Sequence, residues 1–368
     1  MSKVYFLPAR SGDHSTPPAD SAQADMAAGL GRLWDAAGLS GCFGVPDLTA
    51  LKLHVGEPGT KRTFVSPKIV AELVRLVAAT DARPFLTDTA VLYKSPRDNG
   101  AGHARVAMKH GYGLEATGAP FVPADGLIGD EDREIPVSGK HFETVAIASA
   151  IAHARSMLVL SHATGHLGTG FGGAIKNLGM GCCSKRAKLR QHHGHSPRID
   201  PESCRACGVC AEWCPSDAIA MENSAVMDSA VIDETRCIGC GECIAACLEG
   251  AVEFDWSQAG ESLSERIAEH AVGAMSGKPG KVAFVTVAMD ITKDCDCIGE
   301  AQDPVAPDVG ILAGTDPVAI DLAVLDLVAA RAGRPLEALA YANREPGYQV
   351  AYAASLGLGS LDYELVEV

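Results

Sequence analysis

Aromatic residues make up only 5% of this 368-residue chain, which has three tryptophans. With 47% hydrophobic residues and 39 glycines, its interior is to be filled by Ala, Val and Leu, as in an α/β domain. Positive charge is also short. The 46 acids outnumber the 31 lysines and arginines, for a net charge of −15, which disfavours nucleic acid as a partner for the molecule as a whole. No uninterrupted apolar run approaches the length that spans a bilayer, and the opening MSKVYFLPAR holds no apolar leader core. A cytoplasmic protein without membrane association is the expectation. One stretch lacks acids altogether. Between Thr144 and Ile199 there are none, while seven Lys or Arg and six of the twelve histidines fall there.

Cysteine, by contrast, is plentiful. Thirteen thiols fit a reducing compartment with metal thiolates better than a set of secreted disulfides. Eight of them form two runs, Cys204-x-x-Cys207-x-x-Cys210-x-x-x-Cys214-Pro215 and Cys237-x-x-Cys240-x-x-Cys243-x-x-x-Cys247, offset by 33 residues at every position. This is the spacing of a bacterial two-cluster ferredoxin, in which three close thiolates hold one corner of a [4Fe–4S] cube and the fourth serves the other cube. One cluster is expected on Cys204, Cys207, Cys210 and Cys247, the other on Cys237, Cys240, Cys243 and Cys214. Structural zinc wants four ligands, usually as two separated pairs, and these runs are too dense for it. From Asp200 to Asp255 twelve acids face two arginines, a net −10, which should hold the potentials low. A basic, histidine-rich stretch thus runs directly into an acidic one. The two could complement each other within the fold, or the basic side could line a pocket for an anion.

Short apolar runs alternate with helical patterns, which predicts an α/β fold whose mostly parallel sheet is covered by helices. Val4–Leu7, Ala50–Val55, Phe85–Asp88, Met157–Ser161 and Val282–Val287 read as buried strands. Ser66-Pro67 and Thr315-Asp316-Pro317 each open a helix with a cap and a first-turn proline. The cysteine-rich part interrupts this alternation. The expected organisation is an α/β domain over 1–197 and 257–368, with an inserted ferredoxin-like α+β unit over 198–256.

Several longer motifs fit the same picture: KLHVGE (Lys52–Glu57), PFLTDT (Pro84–Thr89) with LYKSPR (Leu92–Arg97), ADGLIGD (Ala124–Asp130), SHATGHLGTGFGGAIKNLGMGCCS (Ser161–Ser184), CDC (Cys295–Cys297) and DVGILAGTDPVAIDLAVLDL (Asp308–Leu327). Together they resemble the DUF362 iron–sulfur centre proteins along essentially the whole chain. The resemblance implies this fold and two [4Fe–4S] clusters, and it implies no substrate. Cys183 stands where a small non-thiol residue is expected, and Leu248 replaces the proline after the last cysteine of the second run.

The glycine-rich loop after Ser161 is the leading place for chemistry. Gly168, Gly170 and Gly173 satisfy G-x-G-x-x-G, yet no acid follows to hold a ribose. Lys176 is followed by Asn177, so it is not a Walker A loop. The glycines serve either a tight backbone turn or a cradle in which backbone N–H groups and Lys176 hold a small anion. His166-x-x-x-Gly170-Phe171-x-Gly173 is similar to a loop of nickel-dependent lactate racemases, where the matching histidine helps hold the nickel cofactor. His166 and His162 are therefore the candidate acid/base or metal-binding groups, with Lys176 beside them.

Of the remaining thiols, Cys42 reads as a small core residue. Cys182-Cys183 and Cys295-x-Cys297 could meet in an additional metal or redox centre built from Cys182, Cys295 and Cys297, with Asp296 or His192, His193 and His195 assisting. Lys52, His54, Glu57, Asp88, Tyr93 and Asp125 fall at expected strand ends, where open sheets bind ligands. Three functions remain open at this point. The clusters pass electrons to a substrate or centre in the α/β cleft, serve a redox partner protein as a carrier, or are structural in a non-redox metal enzyme. The size of the α/β part favours the first, with a small anion as substrate. Oligomeric state is not addressed by the sequence.

Overall fold

The computed structural model describes residues 1–9, 19–58, 64–192, 197–222, 228–237, 239, 241–253 and 260–368. Its main sheet has eight strands in the order Tyr363–Glu367, Ser2–Pro8, Gly310–Gly314, Val282–Ala288, Ser156–His162, Leu48–Lys52, Arg83–Asp88 and Phe121–Pro123. Only Gly310–Gly314 runs against the others, pairing antiparallel with both neighbours. The remaining pairs are parallel. A mostly parallel α/β sheet was the expectation, and it is what the chain forms.

The central strands are buried on both faces because helices cover both. Along Ser156–His162 every residue is buried, and successive side chains enter opposite cores, as the pleat requires. Met157 and Val159 join one core, with Ala174, Ile175, Ala268, Val318 and Val350 from the covering helices. Leu158 and Leu160 join the other, with Leu30, Trp34, Ile69, Leu73 and Val106. Helix Pro67–Ala78 starts at Ser66, whose hydroxyl accepts from the Lys68 amide at 3.4 Å. Helix Pro317–Ala332 starts at Asp316, which accepts from the amides of Val318 and Ala319 at 2.9 and 3.0 Å. Both caps stand where the sequence puts them. Two edge strands went unread in the sequence because their signals are weak. Phe121–Pro123 has three residues, and Tyr363–Glu367 carries two acids among its five residues at a solvent-facing edge.

Residues 197–253 have a small apolar cluster of their own, containing Cys210, Ile219, Ala230, Cys243, Ile244 and Val252. Arg198–Ile199 pairs antiparallel with Val252–Glu253, and Ile219–Glu222 with Ser229–Ile232. The 33-residue repeat of the sequence is repeated in hydrogen bonds. The Cys204 amide donates to the Asp200 carbonyl, and the Cys237 amide to the Asp233 carbonyl, both at 3.0 Å. The Ala218 amide points at the Cys214 sulfur, and the Ala251 amide at the Cys247 sulfur. Gly208 and Gly241 precede the two short helices Val209–Glu212 and Glu242–Ala246 in the left-handed conformation, at φ 78° and 80°. The duplication is structural as well as textual.

The apolar cluster of this segment also contains Leu92 and Leu189 of the α/β part. A Cβ on Gly241 would stand 3.1 Å from both the Arg186 Cα and the Leu189 Cδ2. The segment is therefore seated against helix Lys185–Gln191.

Close helix packing beside the cleft also depends on a glycine. Gly179 ends helix Ala174–Gly179, and a Cβ there would lie 2.0 Å from the Ile267 carbonyl oxygen in helix Glu261–Met275. Backbone cannot retreat as a side chain can. Gly179→Ala should destabilise the protein by about 1–3 kcal/mol through overpacking, read as a lower denaturant midpoint with an unchanged slope.

Candidate functional site

A cleft of about 450 Å³ opens at the carboxyl ends of the parallel strands, lined among others by Lys52, His54, Asp88, His162, Lys176 and Cys297. This is where an open α/β sheet holds its ligands. The polar residues the sequence placed at strand ends meet here. Leu48–Lys52 delivers Lys52 and His54, and Arg83–Asp88 delivers Asp88.

Asp88 is the hub. The Lys52 ammonium lies 2.9 Å from its Oδ1, the Arg97 guanidinium 3.8 Å from its Oδ2, and His54 and His103 each 3.5 Å from Oδ2. The amides of Val55 and Thr89 donate to it at 3.1 and 2.9 Å. Burial alone would raise its pKa, but Lys52 and the neighbouring imidazoles hold it well below the carboxylate range. Lys52 also donates to the Leu53 carbonyl and to Asn177 Oδ1, both at 2.7 Å. Arg97 is fully buried and donates to Glu57, which also accepts from Tyr93 at 2.7 Å and Ser95 at 2.8 Å. Asp125 lies apart from this network, accepting from the Ala90 amide at 3.1 and 3.0 Å.

Behind this network stands a contact between residues 243 positions apart in sequence. The Cys297 sulfur is 3.8 Å from His54 Nε2, and His54 Nδ1 is the atom that faces Asp88. Sulfur, imidazole and carboxylate lie in series. The neighbouring Cys295 thiol, with help from His54 and Lys176, outweighs burial and holds the Cys297 thiol well below its ordinary pKa. Burial works against the His54 cation, yet the Cys297 thiolate and Asp88 push its pKa up to about 9. Lys176 faces the same two cysteines, which together with Asp296 raise its pKa in spite of burial.

The two candidate histidines take other roles. Both nitrogens of His162 are spent, Nδ1 on Asp296 at 3.0 Å and Nε2 on the Met289 carbonyl at 2.8 Å. Two acceptors require both ring protons, and although burial opposes the cation, Asp296 lifts its pKa to about 9. His162 holds the Cys295–Cys297 turn in place through Asp296 and offers no nitrogen to a substrate. His166 lines the cleft, but the amides of Gly168 and Thr169 approach its Nδ1 at 3.2 and 3.0 Å. Burial, aided by Lys176, pushes its pKa well below the usual value. Its ring is a neutral hydrogen-bond donor from Nε2 rather than a base.

The anion cradle is corrected in part. Helix Ala174–Gly179 does follow the glycine loop, but its first free amides, Ala174 and Ile175, donate to buried Asp321 at 2.7 and 2.9 Å. A Cβ at Gly173 would stand 2.3 Å from Asp321 Oδ1, so glycine there lets the carboxylate approach. Positive charge in the cleft comes from side chains instead, Lys176 and Lys188 above all. Lys188, which the sequence reading passed over, donates to Thr89 Oγ1 at 2.6 Å and to the Ala90 carbonyl. Arg186 and Arg190 are drawn to Asp132 and Glu134.

Cys182 does not join Cys295 and Cys297. Its thiol is buried in the core, turned to the Asn177 carbonyl at 3.7 Å, while Cys183 bonds the Gly179 carbonyl at 2.9 Å. Among the described residues no three His, Cys, Asp or Glu side chains close on a single ion. His192 lines the cleft, and His193 and His195 lie outside the described residues. Cys42 is a core residue.

The cysteine runs border two further cavities. Cys204, Cys207, Cys210 and Cys247 surround one of about 20 Å³. Cys214, Cys237 and Cys243 surround another of about 10 Å³, and Cys240 lies outside the described residues. Each cavity draws sulfurs from both runs. Burial, then the proximity of Cys247, Cys204 and Cys207, raises the Cys210 pKa.

A family model described as a domain of unknown function, DUF362, matches residues 49–326. No curated protein matches the chain. Among solved structures the lactate racemase apoprotein from Thermoanaerobacterium thermosaccharolyticum is similar at a TM-score of 0.42 and 10% identity, over 86% of this chain and 54% of that one. The chain thus spans about half of that protein.

Asp88→Asn keeps the shape but leaves Lys52 and Arg97 short of a counter-charge in the interior. The variant should lose about 3–5 kcal/mol of stability, measurable by denaturant titration. The Cys297–His54 pair sets a pH dependence. A lowered thiol pKa and an imidazolium that persists to about 9 keep the thiolate present across neutral pH. Alkylation of Cys297 by iodoacetamide should therefore stay flat from pH 7 to 9. An ordinary thiol, with pKa about 8.5, would speed up steeply over that interval, and such a rise at Cys297 would contradict the assignment.

Proposed function

This chain belongs to the DUF362 family, and on that premise we propose that it binds two [4Fe–4S] clusters that supply electrons to a small anionic group in the cleft. Cys204, Cys207, Cys210 and Cys247 would hold one cluster, and Cys237, Cys240, Cys243 and Cys214 the other. When bound, such clusters supply one electron each at potentials tuned by charge, exposure and hydrogen bonds to sulfur. The donor set fits them. The thiolates border cavities rather than converge on a point, and the amides of Ala206, Ala218 and Ala251 approach the sulfurs of Cys204, Cys214 and Cys247 at 3.4, 3.2 and 3.4 Å.

The observation that carries the reading is the seat of the cysteine segment on the cleft wall. Helix Lys185–Gln191 meets that segment through Leu189, while Lys188 and the following His192 line the cleft. Leu92 belongs to both surroundings. A carrier for a separate partner would have no need of this shared wall, so the packing favours delivery into the cleft. There the chain's own groups do the binding. Lys176 and Lys188 supply positive charge, Asn177 and Asp88 hold Lys52, and the buried walls limit water.

Anaerobic reconstitution with iron and sulfide should give about eight iron atoms per chain, four for each cube. Cys243→Ala, or Cys204→Ala, should lower that to about four. Iron content near zero, or unchanged by either variant, would refute the assignment. Because twelve acids lie between Asp200 and Asp255, both midpoints should fall well below zero in a redox titration.

A further inference from the structure

We infer that Cys295 and Cys297 form a dithiol–disulfide couple in the cleft, whose substrates are small anionic disulfides. The inference deepens the proposed function by naming the group that receives the electrons, and it rests on that reading only for the source of those electrons.

The two cysteines occupy the first and third positions of a tight turn, closed by the Ile298 amide on the Cys295 carbonyl at 3.0 Å. Asp296 between them is buried and turned away to His162. Both sulfurs line the cleft, half-buried, on one turn two residues apart. The remaining partners suit exchange chemistry. His54 stands 3.8 Å from Cys297 with Asp88 behind it, and Lys176 lines the same cleft. Thiol exchange needs a thiolate to attack, a proton for the leaving sulfur, and a second thiol to resolve the mixed disulfide. All three are present. Lys176 and Lys188 add the positive charge that draws an anion in.

In the reaction, the Cys297 thiolate attacks one sulfur of the substrate. The substrate S–S bond breaks, and its departing half takes the His54 proton. Cys295 then attacks the Cys297 sulfur, the mixed disulfide breaks, and the second half leaves with the Cys295 proton. The substrate has gained two electrons as two thiols, and the protein holds a Cys295–Cys297 disulfide beside a neutral His54. Two electrons and two protons, one to Cys295 and one to His54, restore the starting state. Two one-electron donors match that demand.

The test uses the anaerobic full-length protein, reduced and then treated with the dianionic disulfide 5,5′-dithiobis(2-nitrobenzoate). After acid quench and maleimide labelling, the peptide carrying both cysteines is weighed. The expected result is joint loss of both labels with formation of an internal disulfide. In Cys295→Ser the nitrobenzoate half should remain trapped on Cys297. Lys176→Met should slow the dianionic reagent about tenfold more than it slows the uncharged 4,4′-dithiodipyridine. Independent loss of the two labels, an adduct on Cys295 in the wild-type chain, or a fully labelled pair would overturn the couple. Iron measured on the same preparation separates the two ideas. A pair that oxidises jointly in a chain unable to take up iron supports the couple and refutes the cluster reading. A loaded chain with an inert pair does the reverse.

Discussion

One buried carboxylate organises the cleft. Asp88 sits on the last residue of a parallel strand, where the sheet ends and the chain turns to loop. A lone anion there would be expensive to bury. Lys52 from the adjoining strand, Arg97 from the following loop and His54 from the segment beyond Lys52 meet that cost by surrounding it. Their own desolvation is offset in turn by Glu57, Asn177 and backbone carbonyls. Remove the carboxylate and the mutual support of the cations becomes mutual repulsion. The placement of His54 against Cys297 and the tethering of Lys52 follow from this cluster.

Much of the α/β architecture was legible because strand burial writes itself into composition. Met157–Ser161 and Val282–Val287 are apolar but for Ser161 and Thr286, and the structure puts them side by side at the centre, covered on both faces. The helix starts at Ser66 and Asp316 were legible for a local reason, since a cap and a first-turn proline need only neighbours in sequence. Gly310–Gly314 could not be read in the same way. Its reversed direction depends on which strands flank it, and no local pattern states that.

The site divides along the same line. Lys52, His54 and Asp88 stood out as polar residues at the ends of apolar runs. The histidines of the glycine loop stood out equally, and His162 misled. Whether an imidazole is free depends on what its other nitrogen meets, and His162 meets Asp296 from 134 positions away. Asp321 is a comparable case: a residue in a distant helix takes the amides that a glycine loop seemed to reserve for a ligand. The alliance of Cys297 with His54 is likewise a product of the fold, although both residues lie in short motifs visible in the chain.

Helix Lys185–Gln191 has no exposed residue, although five of its seven side chains are lysine, arginine or glutamine. Such a composition ordinarily belongs to a solvated surface. Here four of the polar heads are directed to partners elsewhere in the molecule: Lys188 to Thr89, Gln191 to the Gly179 carbonyl, Arg186 to Asp132 and Arg190 to Glu134. A helix employed on every side has little freedom to drift during evolution. Its residues should prove as intolerant of exchange as an apolar core, and a surface-like sequence can thus conceal one of the least replaceable elements of the fold.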